Sequence, residues 1–347
     1  MQATLTIDLD AIRENWRALD ALSGPQVETG AVIKADAYGL GAAIVGPALA
    51  AAGVSSFFVA QAEEAVALRA AIGPEPVIYN FSGLMPGDDS AVTEHAMVPV
   101  LNSATQVQHF AAKHKGQRSA IQLDSGMNRL GMEALEFATV AMDILALKPE
   151  LVMSHLACAD EPLHPMNAAQ LAAFSTLTVA MPTTSKALSA TGGILLGAPY
   201  HFNLTRPGIG LYGGEPFKNA RPVVQLDLPV IQVRDVLPGE AVGYGNAWLA
   251  TRPSKIATVS GGYADGIIRS GKGFNLYAGT RPCPAVGRIS MDLITVDVTD
   301  LPEVPSALSL LNEVQTVDVL AEKAGTIGYE ILTSLGSRYK RVYKGQN

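Results

Sequence analysis

The sequence predicts an α/β protein: a (β/α)8 TIM barrel over residues 1–220, followed by a smaller all-β domain over residues 221–347. Three observations carry that reading. Through the first two thirds of the chain, short apolar runs alternate with amphipathic stretches of helical length, the rhythm of repeated βα units. After about residue 220, β-branched runs are punctuated by Gly and Pro at short spacing, as in an all-β domain. The length of 347 residues, 48% of them hydrophobic, provides a large core in more than one domain but fewer than three.

The elements follow in order. Thr4 to Asp8 alternates as a strand before a helix that begins near Asp10, and this opening strand (residues 3–8) can pair with the β domain rather than the barrel. The first barrel strand reads Gly30-Ala31-Val32-Ile33-Lys34, and a small-residue helix after it ends near Gly53. Ser55 to Val59, Pro76 to Tyr79, Val98 to Leu101, Ser119 to Leu123 and Leu151 to His155 are the next five strands. A helix runs from Gln61 to Ile72, and Asn102 or Ser103 caps the helix after the fourth strand. Ala187-Leu188-Ser189 and Phe202-Asn203-Leu204 supply shorter seventh and eighth strands. In the second domain Val223 to Val236, Lys255 to Val259, Leu276 to Ala278, Pro284 to Val286 and Leu293 to Val298 read as strands, with a turn at Leu237-Pro238-Gly239-Glu240. Arg338, Lys340, Arg341 and Lys344 alternate with Tyr339, Val342 and Tyr343, as in a closing strand with one solvated face.

Composition removes several function classes. A net charge of −7 argues against a nucleic-acid binder, which needs a basic face to neutralise phosphates. At 16% charged residues, the chain is not a disordered one. The two cysteines, Cys158 and Cys283, suggest neither a disulfide framework nor a metal site, and they fit a reducing cytoplasm. The N-terminus lacks a basic region followed by an apolar stretch, so no signal peptide is expected. The apolar run Ala42 to Val54 is too short to span a bilayer, so no membrane is expected as a partner.

The chemistry starts at Lys34. It ends the first predicted strand, and barrel active sites lie at that end of the strands. An amine there can form a Schiff base with an aldehyde cofactor, and partial desolvation lowers its pKa toward that of a useful base. Position alone favours the bland alternative, an exposed lysine where a strand meets solvent. The surrounding residues do not. Ile33-Lys34-Ala35-Asp36-Ala37-Tyr38-Gly39-Leu40-Gly41 resembles the cofactor-lysine signature of alanine racemases. The resemblance continues through Leu123 to Gly131 (LDSGMNRLG), Ser154-His155-Leu156-Ala157 and Thr205 to Gly213 (TRPGIGLYG). In the second domain it takes in Gly243-Tyr244-Gly245, Gly261 to Gly266 (GGYADG) and Gly287 to Asp292 (GRISMD). Several spaced motifs in the correct order make coincidence very improbable.

That resemblance implies a head-to-tail homodimer of barrel-plus-β-domain subunits, acting on a small amino acid with pyridoxal 5'-phosphate. Lys34 would hold the cofactor and serve as one catalytic base. Tyr244, supplied by the other subunit, would be the second. Arg206 matches the arginine facing the pyridine nitrogen; always protonated, it leaves that nitrogen unprotonated and a weaker electron sink, which disfavours transamination. His155 matches the histidine linking Arg206 to the tyrosine. Tyr38, Ser189, Gly208 and Ile209 match the phosphate cradle. Arg129 and the Met291 backbone N–H match groups that hold the substrate carboxylate, Tyr263 sits at the mouth through which substrate enters, and Asp292 orders its loop. His164 and His201 fall outside the motifs and read as structural. The implied reaction is interconversion of L- and D-alanine, supplying D-alanine for peptidoglycan or serving alanine catabolism. The alternatives are a broader racemase that also acts on serine, a decarboxylase on a related barrel, and a one-domain cofactor-binding regulatory barrel. The complete second domain argues against the last.

Three positions depart from the family pattern. Leu40 stands where histidine is common. Ser337 stands where some relatives have a tyrosine near the phosphate, leaving room for a substrate slightly larger than alanine. Gln122, seven residues before Arg129, replaces a lysine that many members carry as a carbamate. With no amine it cannot be carbamylated, so Arg129 needs another partner, and an anion such as chloride can fill the gap.

Overall fold

The computed structural model describes residues 2–346 as two compact units. One holds Arg13–Tyr212 and Pro216–Ala220; the other takes the chain up to Ile12, Gly213–Glu215 and everything from Arg221 onward.

The first unit is a parallel barrel. Seven strands, Ala31–Val32, Ser56–Val59, Val77–Asn80, Met97–Leu101, Ala120–Gln122, Leu151–Met153 and Ser185–Ala187, neighbour one another in chain order. The eighth, Leu204–Thr205, pairs in parallel with Glu28–Thr29, the lower half of the first strand. It joins the seventh through Asn203 N–H to Lys186 O (3.0 Å) and Arg206 N–H to Ser189 O (2.8 Å), so the ring of hydrogen bonds closes. The first strand is divided at Gly30, where a Cβ would come 2.7 Å from the Ser56 carbonyl oxygen; glycine is what lets the second strand approach. Most barrel strands are buried along their whole length, Ser56–Val59 and Met97–Leu101 among them. Strands covered on both faces read as continuous apolar runs, and for that reason they were visible in the sequence.

The helices between strands are fixed by local signals. Ser103 caps the helix Ala104–Lys113 by accepting from Gln106 N–H. The helix Ala62–Ile72 opens on a capping box in which the Glu64 carboxylate reaches back to Gln61 N–H at 3.2 Å. Gly53, at φ +120, ends the helix Ala42–Ala52.

The second unit is built on an eight-stranded, mostly antiparallel sheet. Its longest strand, Val224–Val236, shifts register between Val230 and Gln232, just after Pro229, a residue with no N–H for the ladder. The opening strand Thr4–Asp8 belongs here, antiparallel to Val224–Val236 and parallel to Lys340–Lys344. Leu5 and Ile7 point into the core, fully buried. The unit also contains a strand, Ala307–Leu311, and two short helices, Val317–Ala324 and Gly328–Ser334, that the reading of its strand pattern did not include. Thr316 caps the first of these helices.

Candidate active site

Lys34 follows the end of its strand directly. The ladder closes with Ile33 N–H to Phe58 O at 2.8 Å, and the chain then turns sharply. Ala35, Asp36, Ala37 and Tyr38 all have φ between +52 and +56, a single turn of left-handed helix built from non-glycine residues. Each such residue costs roughly 1–2 kcal/mol, so the surroundings must hold the turn. Three contacts do so. Ala35 N–H donates to the Glu64 carboxylate at 2.5 Å, Ala42 N–H donates to Asp36 at 2.7 Å, and the buried Tyr38 ring packs on Tyr212 with centroids 4.7 Å apart. Strain of this kind concentrates at functional sites.

Lys34 is half-buried. Burial first, then the Arg129 charge and finally Arg206, lower its pKa below the usual lysine value; Glu64 acts in the opposite sense. Arg206 follows the eighth strand and is 1% exposed. Its guanidinium donates to Ser154 O at 2.6 Å and Leu188 O at 3.2 Å, and lies 5.8 and 5.9 Å from the centres of the Phe58 and Phe81 rings. Burial brings its pKa down to about 9, which leaves it charged at neutral pH. Its Nε is buried with no hydrogen-bond partner among the described residues. An orphaned charged donor is costly unless something completes it.

His155 follows the sixth strand, its carbonyl oxygen accepting from the buried Gln170 amide at 2.9 Å. Burial, followed by the charges of Arg206, Arg129 and Lys34, drives its pKa down to about 3, so the ring is neutral. Lys34, His155, Arg206 and Arg129 thus share one electrostatic environment at the C-terminal end of the strands. Arg129 itself is exposed on the loop between Leu123 and Met132 and makes no hydrogen bond or ion pair among the described residues. The buried Gln122 amide donates to Leu130 O at 2.9 Å, pinning that same loop.

The Tyr38 hydroxyl lies against Gly208, where a Cβ would fall 2.5 Å from it. Ser189 is fully buried, and its hydroxyl donates to the Tyr200 carbonyl at 2.8 Å. Gly208 N–H donates to the Thr191 hydroxyl at 3.1 Å, and Gly210 N–H to the same oxygen at 3.3 Å. Ile209, buried, opens a short 3-10 turn. Glu64, Thr191, Phe58 and Phe81 are all missing from the reading of motifs. Glu64 had one visible signal, its place three residues after Gln61.

The remaining candidates sit on three loops of the second unit that converge. A Cβ at Gly243 would approach Arg288 N at 3.7 Å, and Tyr263 and Ala264 N–H donate to Ser290 O and Met291 O at 3.0 and 2.9 Å. Tyr244 is 70% exposed, Met291 54% and Tyr263 41%. The Met291 N–H makes no hydrogen bond among the described residues. Asp265 accepts from Gly262 N–H at 2.9 Å and from Arg338 at 2.7 Å, and Arg338 also reaches Asp292 at 2.8 Å. Asp292 is therefore tied into the loop framework.

The structural reading of the outlying histidines fits their contacts: His164 accepts from Met166 N–H at the start of a helix, and both His201 ring nitrogens face carbonyl oxygens. One trio of metal-ligand type occurs among the described residues, Asp89, His109 and His114. Its carboxylate is already engaged, 2.6 Å from His114 Nε2 and 3.8 Å from Lys113 Nζ.

Fold and side chains together define a barrel protein with a second, mostly antiparallel unit, in which a lysine just before a left-handed turn feels the charges of a buried and an exposed arginine. The alanine racemase N-terminal domain model matches residues 7–216, and the alanine racemase C-terminal domain model matches residues 223–343. An alanine racemase of Cereibacter sphaeroides is 60% identical over 343 residues, covering 98% of each chain. One from Dinoroseobacter shibae is 60% identical over 345 residues, covering 99% of this chain and 98% of its own. The crystal structure of alanine racemase from Bartonella henselae with covalently bound pyridoxal phosphate superposes with a TM-score of 0.94 at 37% identity, covering 99% of this chain and all of that one. The chain belongs to the alanine racemase family, and so to the isomerases. No helix among the described residues is long and apolar enough to cross a membrane.

Proposed function

We propose that this chain interconverts L- and D-alanine by a two-base mechanism. It would hold pyridoxal 5'-phosphate on Lys34 and combine that lysine with Tyr244 of the partner subunit in a head-to-tail dimer. The observation that carries the reading is Lys34 itself: a half-buried amine at the strand ends, pressed toward its neutral form by burial and by Arg129.

The residues present fit the cofactor. The buried Arg206 Nε lacks a partner that an acceptor nitrogen on a ring would supply. Gly208 leaves open the space beside the Tyr38 hydroxyl that a Cβ would close. Ser189 joins a phosphate only by turning its hydroxyl away from Tyr200, and Gly208 N–H only by leaving Thr191. When bound, pyridoxal phosphate supplies the electron sink that acidifies the substrate Cα–H. The side chains do the rest. Neutral Lys34 takes or returns a proton on the D face, and the partner's Tyr244 does so on the L face. Arg206 remains a donor and never gives up its proton, which keeps the sink weak and transamination disfavoured. His155, held neutral, positions the link between Arg206 and the tyrosine. Arg129 and the partner subunit's Met291 N–H receive the substrate carboxylate, with an anion near Arg129 and Gln122 standing in for the carbamate that Gln122 cannot form. Tyr244, Tyr263 and Met291 are large and exposed on adjoining loops, as groups that serve another subunit would be. The reaction would supply D-alanine for peptidoglycan synthesis or serve alanine catabolism.

Ser337 is exposed and small where some relatives carry tyrosine, which favours weak activity on serine as a second substrate. The deciding measurement is loss of optical rotation from L-alanine and from L-serine, with and without pyridoxal phosphate. Cofactor-dependent racemisation of alanine without CO2 release is expected. Release of CO2, or racemisation of serine alone, defeats the reading.

A further inference from the structure

The carboxylate of Glu64 lies where two barrel strands end. One oxygen accepts Ala35 N–H at 2.5 Å; the other accepts Ala60 N–H at 2.8 Å and Gln61 N–H at 3.2 Å. The second pair is ordinary capping of the helix Ala62–Ile72. The first contact is not local: it crosses to the neighbouring strand and takes the amide immediately after Lys34. The ladder between these strands ends at Ile33 N–H, so Ala35 N–H is the next donor without a strand partner, and Glu64 supplies the acceptor.

We propose that Glu64 is a positioning residue for Lys34, its carboxylate tying the Lys34–Ala35 peptide to the neighbouring helix and holding the left-handed turn that aims the lysine. The idea rests on the proposed role of Lys34. The turn contains four non-glycine residues at positive φ, which relax to ordinary backbone unless held. The carboxylate does a second thing as well. Burial and the charges of Arg129 and Arg206 oppose the protonation of Lys34, and the Glu64 carboxylate favours it. One side chain therefore bears on both the backbone that carries the amine and how readily the amine holds a proton, two quantities that a base and cofactor anchor depends on.

The test compares the cofactor-loaded enzyme with Glu64→Gln, Glu64→Asp and the control Glu63→Gln, which removes an exposed charge one residue earlier. Borohydride reduction followed by peptide mapping first locates the cofactor. A pyridoxyl group on a lysine other than Lys34, in the wild type, overturns the reading of Lys34 and the proposal with it. With Lys34 labelled, the readout is the pH titration of the visible absorbance of the lysine-bound cofactor, which a merely structural role would not move. Glu64→Gln keeps the size and loses the charge, so its midpoint should fall by roughly one pH unit, with kcat down about ten- to a hundredfold. Glu64→Asp keeps the charge but cannot reach both the helix cap and Ala35; its midpoint should stay near that of the wild type while kcat drops. Glu63→Gln should match the wild type in both. If Glu64→Gln titrates and turns over as Glu63→Gln does, the proposal is wrong. Should Glu64→Gln fail to fold, Glu64→Asp decides alone, and wild-type kcat in that variant refutes the positioning role.

Discussion

Lowering the pH from 7 to about 5 protonates an ordinary histidine in the unfolded chain but leaves His155 in the fold neutral. Its pKa falls from 6.5 to about 3, through burial first and then the charges of Arg206, Arg129 and Lys34. Between those two values the unfolded state binds a proton that the folded state does not, so stability rises with pH across the window and declines as acid is added. The cost is absent above the unfolded value and complete below the folded one. At pH 5 the unfolded group lies about 1.5 units above ambient, and at about 1.36 kcal/mol per unit this comes to about 2 kcal/mol. The ring keeps a partly accessible edge even though protein surrounds it at longer range, so this is an upper figure. Many carboxylates also titrate here, and only a difference isolates the ring. Urea unfolding of the wild type and of His155→Gln at both pH values supplies it. The wild type should lose about 2 kcal/mol more than the variant between pH 7 and pH 5. Equal losses would show that burial and the three cations together do not hold His155 neutral.

Two further outcomes follow from the proposed site. Lys34→Ala and Tyr244→Phe should each lose roughly a hundred- to ten-thousandfold in activity, yet mixing them under conditions of subunit exchange should restore racemisation, because one site of each mixed dimer is whole; no recovery despite confirmed exchange excludes the shared site. Because Gln122 has no amine, stripping CO2 and bicarbonate from the buffer should leave kcat/KM unchanged to within roughly twofold; a reversible fall on CO2 removal contradicts that account of Arg129.

The barrel was legible because burial on both faces writes its strands as uninterrupted apolar runs. Ser56–Val59 and Met97–Leu101 were found within a residue or two. The seventh strand was misplaced by two residues: it starts at an exposed Ser185 and a Lys186, so no apolar run marks it. The helices Val317–Ala324 and Gly328–Ser334 went unseen inside a segment read for strands, although Thr316 was a capping signal. At the site, long motifs pointed to Lys34, His155, Arg206 and Arg129, and the charges of the other three all act on the neutral His155 ring. Glu64 and Thr191 were missed for a different reason. Their contacts depend on backbone conformation, and nothing in Lys34-Ala35-Asp36-Ala37-Tyr38 announces a left-handed turn, since Gly39 comes only after it. The hydroxyl of Thr191 matters because Gly208 and Gly210 present their amides to it, a pairing across 17 and 19 positions.

The strand Thr4–Asp8 pairs with Lys340–Lys344, so the second unit's sheet joins two stretches that leave the ribosome at widely separated times. At roughly 5–20 residues per second, some 15 to 70 s separate their synthesis. Every barrel strand lies between them in the chain and can find its neighbours in the meantime. Until Val224–Val236 has been made, Leu5 and Ile7, fully buried in the finished sheet, have no strand to pair with. A nascent chain that has completed its barrel but not yet Val224–Val236 thus carries a sticky, unclaimed strand, the state in which a chaperone that shields short apolar stretches has most to do.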